Sequence, residues 1–320
     1  MKNIFLFLTL LVLSVSANAQ QNQKIQDSTK TEKLDEVLVK AVRVDADSPI
    51  THSNVSKKQL AKRNLGQDIP TLLNFLPSVV TTSDAGAGVG YTGIRVRGTD
   101  ATRVNVTING IPYNDPESQG TFWVNLGDFA SSTDQMQIQR GVGTSSNGAA
   151  AFGASINIKT DNISRDPYAA IDNSAGSFNT LKNTVKAGTG LINERFSVDA
   201  RLSRISSDGF IDRANSNLKS FYLSGAYIMK NSMLKVDIFS GKEKTYQAWW
   251  GIPQSKYKGD EQGLLTHFYN NYYPGGIYET ASDSSNLFNS GSNTYNYYWY
   301  DNETDNYQQD HYQLHYSKTF

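Results

Sequence analysis

From about residue 165 onward apolar and polar side chains alternate, and no other feature constrains the fold as much. In 193–205, Phe196, Val198, Ala200 and Leu202 alternate with Arg195, Ser197, Asp199 and Arg201. In 219–229, Phe221, Leu223, Gly225 and Tyr227 share one face. In 233–240, Leu234, Val236 and Ile238 oppose Lys235 and Asp237. In 181–191, Val185 and Ala187 stand against Lys182, Thr184 and Lys186, and Tyr312, Leu314, Tyr316 and Phe320 repeat the rule at the end. With a weaker candidate at 168–175, this predicts about six strands. Each has roughly the ten residues that a tilted strand needs to cross a bilayer. The charged face is too wet for a sandwich core. It suits a polar lumen, or the solvated face of a soluble antiparallel sheet. Alternation alone leaves both standing.

The N-terminus narrows the choice. Lys2, the apolar run 4–13 and Ala17-Asn18-Ala19 read as a basic region, a short apolar region and a small-residue cleavage site. The expected signal peptide is 1–19, with Gln20 as the first mature residue. Ten apolar residues are too few to span a bilayer as a helix, and no later run reaches about 18. No Cys follows the cleavage site, so lipid anchoring there is not expected. The leader and the 18 Tyr tip the balance toward a barrel.

Composition removes other classes. There are 30 Lys and Arg against 30 Asp and Glu, so the basic excess of a nucleic-acid binder is missing. Cysteine is absent, which excludes disulfides, thiol nucleophiles and Cys-ligated metals. Four His leave little for a zinc site. His311 and His315 fall on one face of a predicted strand, about 13 Å apart, too far to share a metal. Gly141-Val142-Gly143 with Gly148 lacks the Gly-Lys-Ser/Thr ending of a P-loop and the spacing of a dinucleotide fingerprint. No Ser/His/Asp arrangement can be named from spacing. The expectation is a non-enzyme with no cofactor and no resident metal; a secreted hydrolase is the weak third class.

Between tail and alternating half lies a stretch, 45–160, that reads as a compact α/β unit. Ser56-Lys57-Lys58-Gln59 fits a capping box that opens a helix through Arg63. A second helix is expected from Gln67 to Phe75, ending before Pro77. The stretch 79–82 looks extended. Gly86, Gly88, Gly90 and Gly93 predict a mobile loop of close approach. Strands are expected at 94–97, 103–108, 136–140 and 155–159. Asn109-Gly110 between Ile108 and Ile111 is a two-residue hairpin signal. Upstream, 20–33 reads as a flexible polar tail, and the short run 34–39 reads either as an edge strand or as a detachable strand offered to a partner.

The segment 245–306 lacks strand periodicity. It holds ten of the 18 Tyr and Trp249, Trp250 and Trp299. Its charges are Lys256 and Lys258 against Asp260, Glu261, Glu279, Asp283, Asp301, Glu303 and Asp305, so it is acidic. Aromatics at this density predict an ordered contact surface.

Several stretches together resemble TonB-dependent outer-membrane receptors. They are Ile94-Arg95-Val96-Arg97-Gly98, Val104-Asn105-Val106-Thr107-Ile108-Asn109-Gly110-Ile111-Pro112, Gln137-Ile138-Gln139-Arg140-Gly141-Val142 and the run 148–158. The resemblance implies a mainly β chain, an α/β plug domain followed by part of a 22-stranded antiparallel transmembrane β-barrel. It implies a tail with a TonB box at 20–44, a plug at 45–160, and an incomplete barrel at 161–320 with a long extracellular loop at 245–306. Six strands cannot enclose a domain of this size, so the sequence reads as the N-terminal part of a larger receptor.

The resemblance also implies roles. Asp35, Glu36, Val37, Leu38 and Val39 would couple to periplasmic TonB, which works with ExbB and ExbD. Tight capture of a scarce ligand needs aromatics with a few directed polar groups. The candidates are Asp84, Tyr91, Tyr113, Asn114, Phe122 and Trp123 of the plug, with Trp249, Trp250 and Tyr257 of the long loop. Phe122 and Trp123 could equally be plug core, and the Tyr-rich loop could brace its neighbours or face lipopolysaccharide. Arg95, Arg97 and Arg140 are expected to fix plug to barrel, with partners either on strands beyond this sequence or at Asp199 or Asp237. The implied ligand is a ferric siderophore or other iron complex. The alternatives are a cobalamin or glycan, or a non-transport surface barrel such as an adhesin or phage receptor. The implied location is the outer membrane, in contact with lipid and lipopolysaccharide.

Overall fold

The computed structural model describes residues 43–45, 47–144 and 151–318. The expected signal peptide, the TonB-coupling residues and the tail as far as residue 42 lie outside them. In chain order the elements are β1 (His52–Ser56), α1 (Lys57–Arg63), α2 (Ile69–Leu72), β2 (Val79–Ser83), β3 (Thr92–Val96), β4 (Val104–Ile108), β5 (Ile111–Pro112), β6 (Thr133–Arg140) and β7 (Ala154–Thr160). Then follow β8 (Tyr168–Gly176), β9 (Thr180–Gly188), β10 (Phe196–Ser207), β11 (Ser216–Ile228), β12 (Ser232–Tyr246), α3 (Gln254–Lys258), α4 (Glu261–Asn271), α5 (Ala281–Asn289) and β13 (Thr304–Lys318).

The first sheet runs β1-β6-β7-β4-β5. It is mixed, because β4 pairs with β7 in parallel while the other pairs are antiparallel. Val106, Ile108, Met136, Ile138 and Ile156 are almost fully withdrawn from solvent at its centre. Burying each such side chain stabilises the unit by about 1.5–3 kcal/mol. The Ser56–Gln59 capping box starts α1, as its spacing predicts. At the β4–β5 turn, Asn109 (φ 53°) and Gly110 (φ 80°) are both left-handed, as a two-residue primed turn requires.

Two departures from the sequence expectation have clear causes. The helix expected from Gln67 to Phe75 shrinks to α2. Pro70 fits only a helix start, and Leu72, Leu73 and Leu76 then turn together into the core. The strand β1 has no alternation to reveal it: of His-Ser-Asn-Val-Ser only Val55 is buried. It forms because β6 offers a free edge, in register from His52↔Gln139 to Ser56↔Gln135.

The second sheet is an antiparallel meander, β13-β12-β11-β10-β9-β8. Its strands lengthen from nine residues in β8 to 15 in β12 and β13. Its burial is inverted. The polar side chains Lys182, Thr184, Arg201, Ser203, Asp237 and Gln313 are covered, while Leu202 (65% exposed), Tyr312 (75%) and Leu314 (68%) on the opposite face are bare. A water-soluble sheet covers its apolar face instead. The covered face packs on the first unit: Tyr222 and Phe239 join its core around Phe129, and Val89 and Val124 pack on Ile205 and Leu218.

The connection between β12 and β13 is not plain loop. Strand pairing reaches Tyr246↔Thr304, and the intervening 247–303 contains α3, α4 and α5. Asp260 caps α4, and a Thr280–Asp283 capping box opens α5. Phe268, Tyr278, Leu287 and Tyr295 form a core of their own. No helix among the described residues is long and apolar enough to cross a membrane, which says nothing of a β-barrel.

Candidate binding site

The β2–β3 connection carries the first candidates. Gly86, Gly88 and Gly90 all take positive φ. The loop is clamped rather than loose: Ala85 accepts from Phe210 N (2.7 Å) and Ile211 N (3.2 Å), and Ala85, Ala214 and Ala248 pack together. It delivers Tyr91 to the mouth of the second sheet. The Tyr91 ring stands edge-on to Trp249 at 5.5 Å. Its hydroxyl donates to Glu243 Oε1 (3.3 Å) and to Asp305 Oδ2. From Trp249 the aromatics continue through Tyr298 (6.2 Å) and Tyr297 to Trp250, which stacks on Tyr297 at 4.9 Å. Trp249 and Trp250 are each about half exposed. The structure therefore brings Tyr91, Trp249 and Trp250 into one aromatic run with an acidic base. Burial pushes the neighbouring Asp84 carboxyl up to about 6. Burial also raises Asp68 well above its ordinary value, although Thr92 donates to it.

A buried polar seam lies beneath. Asp128 sits in a left-handed conformation (φ 53°) and is 4% exposed. Its Oδ1 accepts from Asn64 (2.9 Å) and Ser131 (2.6 Å). Its Oδ2 accepts from Thr184 (2.5 Å) and Ser203 (2.7 Å) of the second sheet. Lys182 Nζ lies 3.3 Å and an Arg201 nitrogen 3.5 Å from the carboxylate. Burial alone would raise this carboxyl. Arg201 and Lys182, with the serine hydroxyls, outweigh it and hold Asp128 well below the usual carboxylate range. A second bundle joins Asn109, whose amide donates to Asp237 (3.1 Å) and Gln313 (3.2 Å), while Thr160 donates to its carbonyl. Tyr222 and Lys235 also hold Asp237.

The family model for the TonB-dependent receptor plug domain matches residues 44–155. The chain carries a TonB-dependent receptor plug. Solved receptors share the fold beyond it. The outer-membrane ferripyoverdine receptor of Pseudomonas aeruginosa is 13% identical, with TM-score 0.54, over 77% of this chain and 34% of its own. The ferric yersiniabactin uptake receptor FyuA of Yersinia pestis is 14% identical, with TM-score 0.52, over 63% and 33%. A copper transporter, OprC, is 14% identical, with TM-score 0.51, over 62% and 31%. The chain thus spans about a third of these receptors, and β8–β13 align with part of their barrels. No curated protein matches the sequence. The plug family is one of non-enzymatic transporters.

The remaining candidates fall elsewhere on the plug and loop. Tyr113 donates to Gln309 of β13 (2.9 Å) and lies against His311. Asn114 shapes its own loop: it accepts from Val106 N and donates to Val104 O and Gln119 O. A short 3₁₀ turn at Trp123–Leu126 separates the two neighbours the sequence could not. Trp123 is 2% exposed in the plug core, whereas Phe122 is 45% exposed. Tyr257 stands exposed on α3.

Among the described residues none of the three arginines pairs with Asp199 or Asp237. Arg140 donates to Pro77 O (3.0 Å) and Ser53 Oγ (2.6 Å), both within the plug. Arg95 is 3.8 Å from Asp100. Arg97 lies close enough to Arg140 to lower its pKa, after burial. Asp237 is already taken by the Asn109 bundle, and Asp199 by Tyr168. The described strands meet the plug with the opposite polarity, a plug carboxylate held by barrel cations. Asp128 was invisible to spacing because every partner but Ser131 lies more than fifty residues away. Its one local signal is a lone acid between Leu126-Gly127 and Phe129.

Proposed function

We propose that the whole protein is a TonB-dependent outer-membrane receptor that imports a scarce ligand, with a ferric siderophore or other iron complex as its cargo. The observation that carries this reading is the inverted sheet. A polar face seated on the plug and a bare apolar face suit strands that divide a wet lumen from lipid. The ferripyoverdine and ferric yersiniabactin receptors that the chain resembles lend the ligand class. The exposed run Tyr91, Trp249 and Trp250 supplies the apolar and directed polar contacts that tight capture requires.

In this reading the plug closes the barrel and the run 34–39 lends an edge strand to periplasmic TonB, which draws on ExbB and ExbD. Val37→Pro removes one donor of that strand ladder. It should abolish capture of the full-length receptor by the periplasmic part of TonB, and energised uptake with it. The direct test is uptake of radiolabelled iron chelates by a deletion strain and its complemented partner. Loss of one chelate on deletion, restored by the wild type but not by Val37→Pro, supports the proposal. The copper transporter among the structural relatives favours a second reading, a non-iron ligand. Unchanged iron uptake with loss of labelled copper would select it.

A further inference from the structure

The outward face of β9–β12 carries a feature the transport reading does not use. Strand register places Arg204 directly opposite Lys219, and Lys219 directly opposite Lys242. Asn183 and Gln308 close the row on either side. All three cations are exposed, and among the described residues no hydrogen bond or ion pair engages them. The next row outward adds Lys244. The one acid nearby on this face, Asp310, is occupied by Gln308 and Ser240.

Like charges directly opposite one another on neighbouring strands repel. Opposite charges facing each other stabilise a sheet, so a ladder of three cations invites an anion from outside the chain. Its height is telling. Lys242 is the eleventh residue of β12, Arg204 the ninth of β10, and Lys219 the tenth of β11 counted from its far end. A strand crosses the hydrocarbon in nine to eleven residues. The ladder therefore stands where the hydrocarbon ends, on the rim that bears the long loop. A groove of about 470 Å³ runs between it and the apolar side chains Val185, Leu202 and Phe221.

We propose that this groove binds the phosphate-bearing headgroup of a membrane lipid. The acyl chains would lie on Val185, Leu202 and Phe221, and the phosphate would bridge Arg204, Lys219 and Lys242. Charge complementarity and the apolar flank favour a lipid over free phosphate. The site rests on the outer-membrane reading, but it is separate from the transport machinery.

The test compares full-length receptor with the triple variant Arg204→Gln, Lys219→Gln, Lys242→Gln, both purified from outer membranes in detergent. Native mass spectrometry counts bound lipid A, its dephosphorylated form, and inorganic phosphate added alone. Each cation near a charged lipid surface contributes roughly fivefold, so lipid A retention should fall at least tenfold in the triple variant. The dephosphorylated form should not be retained by either protein. Removing facing like charges should leave the barrel folded, as heat-modifiable migration would report; the single variant Lys219→Gln gives a smaller loss of the same kind. Equal retention of lipid A by wild type and triple variant overturns the proposal, as does equal retention of the dephosphorylated lipid. Tight binding of inorganic phosphate alone would show the ladder to be a simple anion site and would also overturn it. Failure of the transport reading would appear elsewhere, as absence from the outer membrane or an unchanged uptake profile.

Discussion

At the residue scale the decisive side chain is Asp128. It is a buried charge whose partners, Lys182 and Arg201, are also buried. Removing one member of such a set leaves uncompensated charge behind and costs about 3–5 kcal/mol. Asp128→Ala should therefore lower the thermal midpoint of the full-length receptor sharply, while Ser220→Ala, which removes a single bond to Gly127 O, should cost about 1 kcal/mol. Because the Asp128 carboxyl is held below its ordinary value, its contribution is complete above about pH 4, where the unfolded acid is ionised. It is lost as pH falls further toward the folded value. A thermal midpoint measured from pH 7 down to pH 2 should drop more steeply below pH 4 for wild type than for Asp128→Asn. At the mouth, Trp249 both exposes a ring and supports Tyr91. Trp249→Ala should weaken ligand binding by at least about tenfold, in line with truncating a central aromatic anchor. Equilibrium titration of the purified receptor would check it. The aromatic candidates were legible because Trp and Tyr crowd one polar segment. Asp128 was not, because a carboxylate's importance is set by which distant strands fold against it.

At the element scale two contacts decide how the plug is held. The first is the meeting of β12 with the 3₁₀ turn at Trp123–Leu126. A Cβ added at Gly241 would fall 1.9 Å from Asn125 O, a backbone atom that cannot simply move aside. Gly241→Ala should push plug and strand apart, and faster proteolysis of the plug in otherwise intact receptor would report it. The second is the β2–β3 loop, where Asp84 rises to about 6; the loop docks through Gly88 O on Asp68 at the start of α2, which rises as well, both through burial. A carboxyl raised in the folded state binds its proton there first. Docking of the loop should therefore strengthen as pH falls through about 6, and level off below the unfolded value near 4. Amide exchange across 84–91, corrected for intrinsic rates, should be slower at pH 5 than at pH 7.5. The double substitution Asp68→Asn, Asp84→Asn should erase the difference. Most elements were legible for physical reasons. The barrel strands betray themselves by alternation, α1 by its capping box, and the β4–β5 turn by Asn109-Gly110. The helices of 247–303 were hidden because each buries a single residue, Lys256 of α3, Phe268 of α4 and Leu287 of α5. The close approach expected of the β2–β3 glycines is made to distant residues that spacing does not reveal, Gly86 to Phe210, Gly88 to Thr71 and Gly90 to Ser216.

At the scale of the whole molecule the six-stranded sheet poses a question of closure. Among the described residues, β8 and β13 each pair on one side only. Free edges of nine and 15 residues are templates for further pairing. The plug meanwhile keeps Leu65, Val80 and Phe152 exposed, each by more than half. Both observations have one solution if further strands continue from these edges and wrap the plug. Barrel diameter grows with strand number, and a domain of over a hundred residues needs far more than six. At roughly 25 residues per strand and turn, a 22-stranded barrel with its plug should be on the order of 75 kDa or more. A plug-specific peptide should therefore detect, in outer-membrane fractions, a heat-modifiable band of that size. A band near 35.4 kDa would mean that the edges pair between copies instead. The plug would then have no lumen to close, and a surface protein that never contacts TonB would replace the receptor.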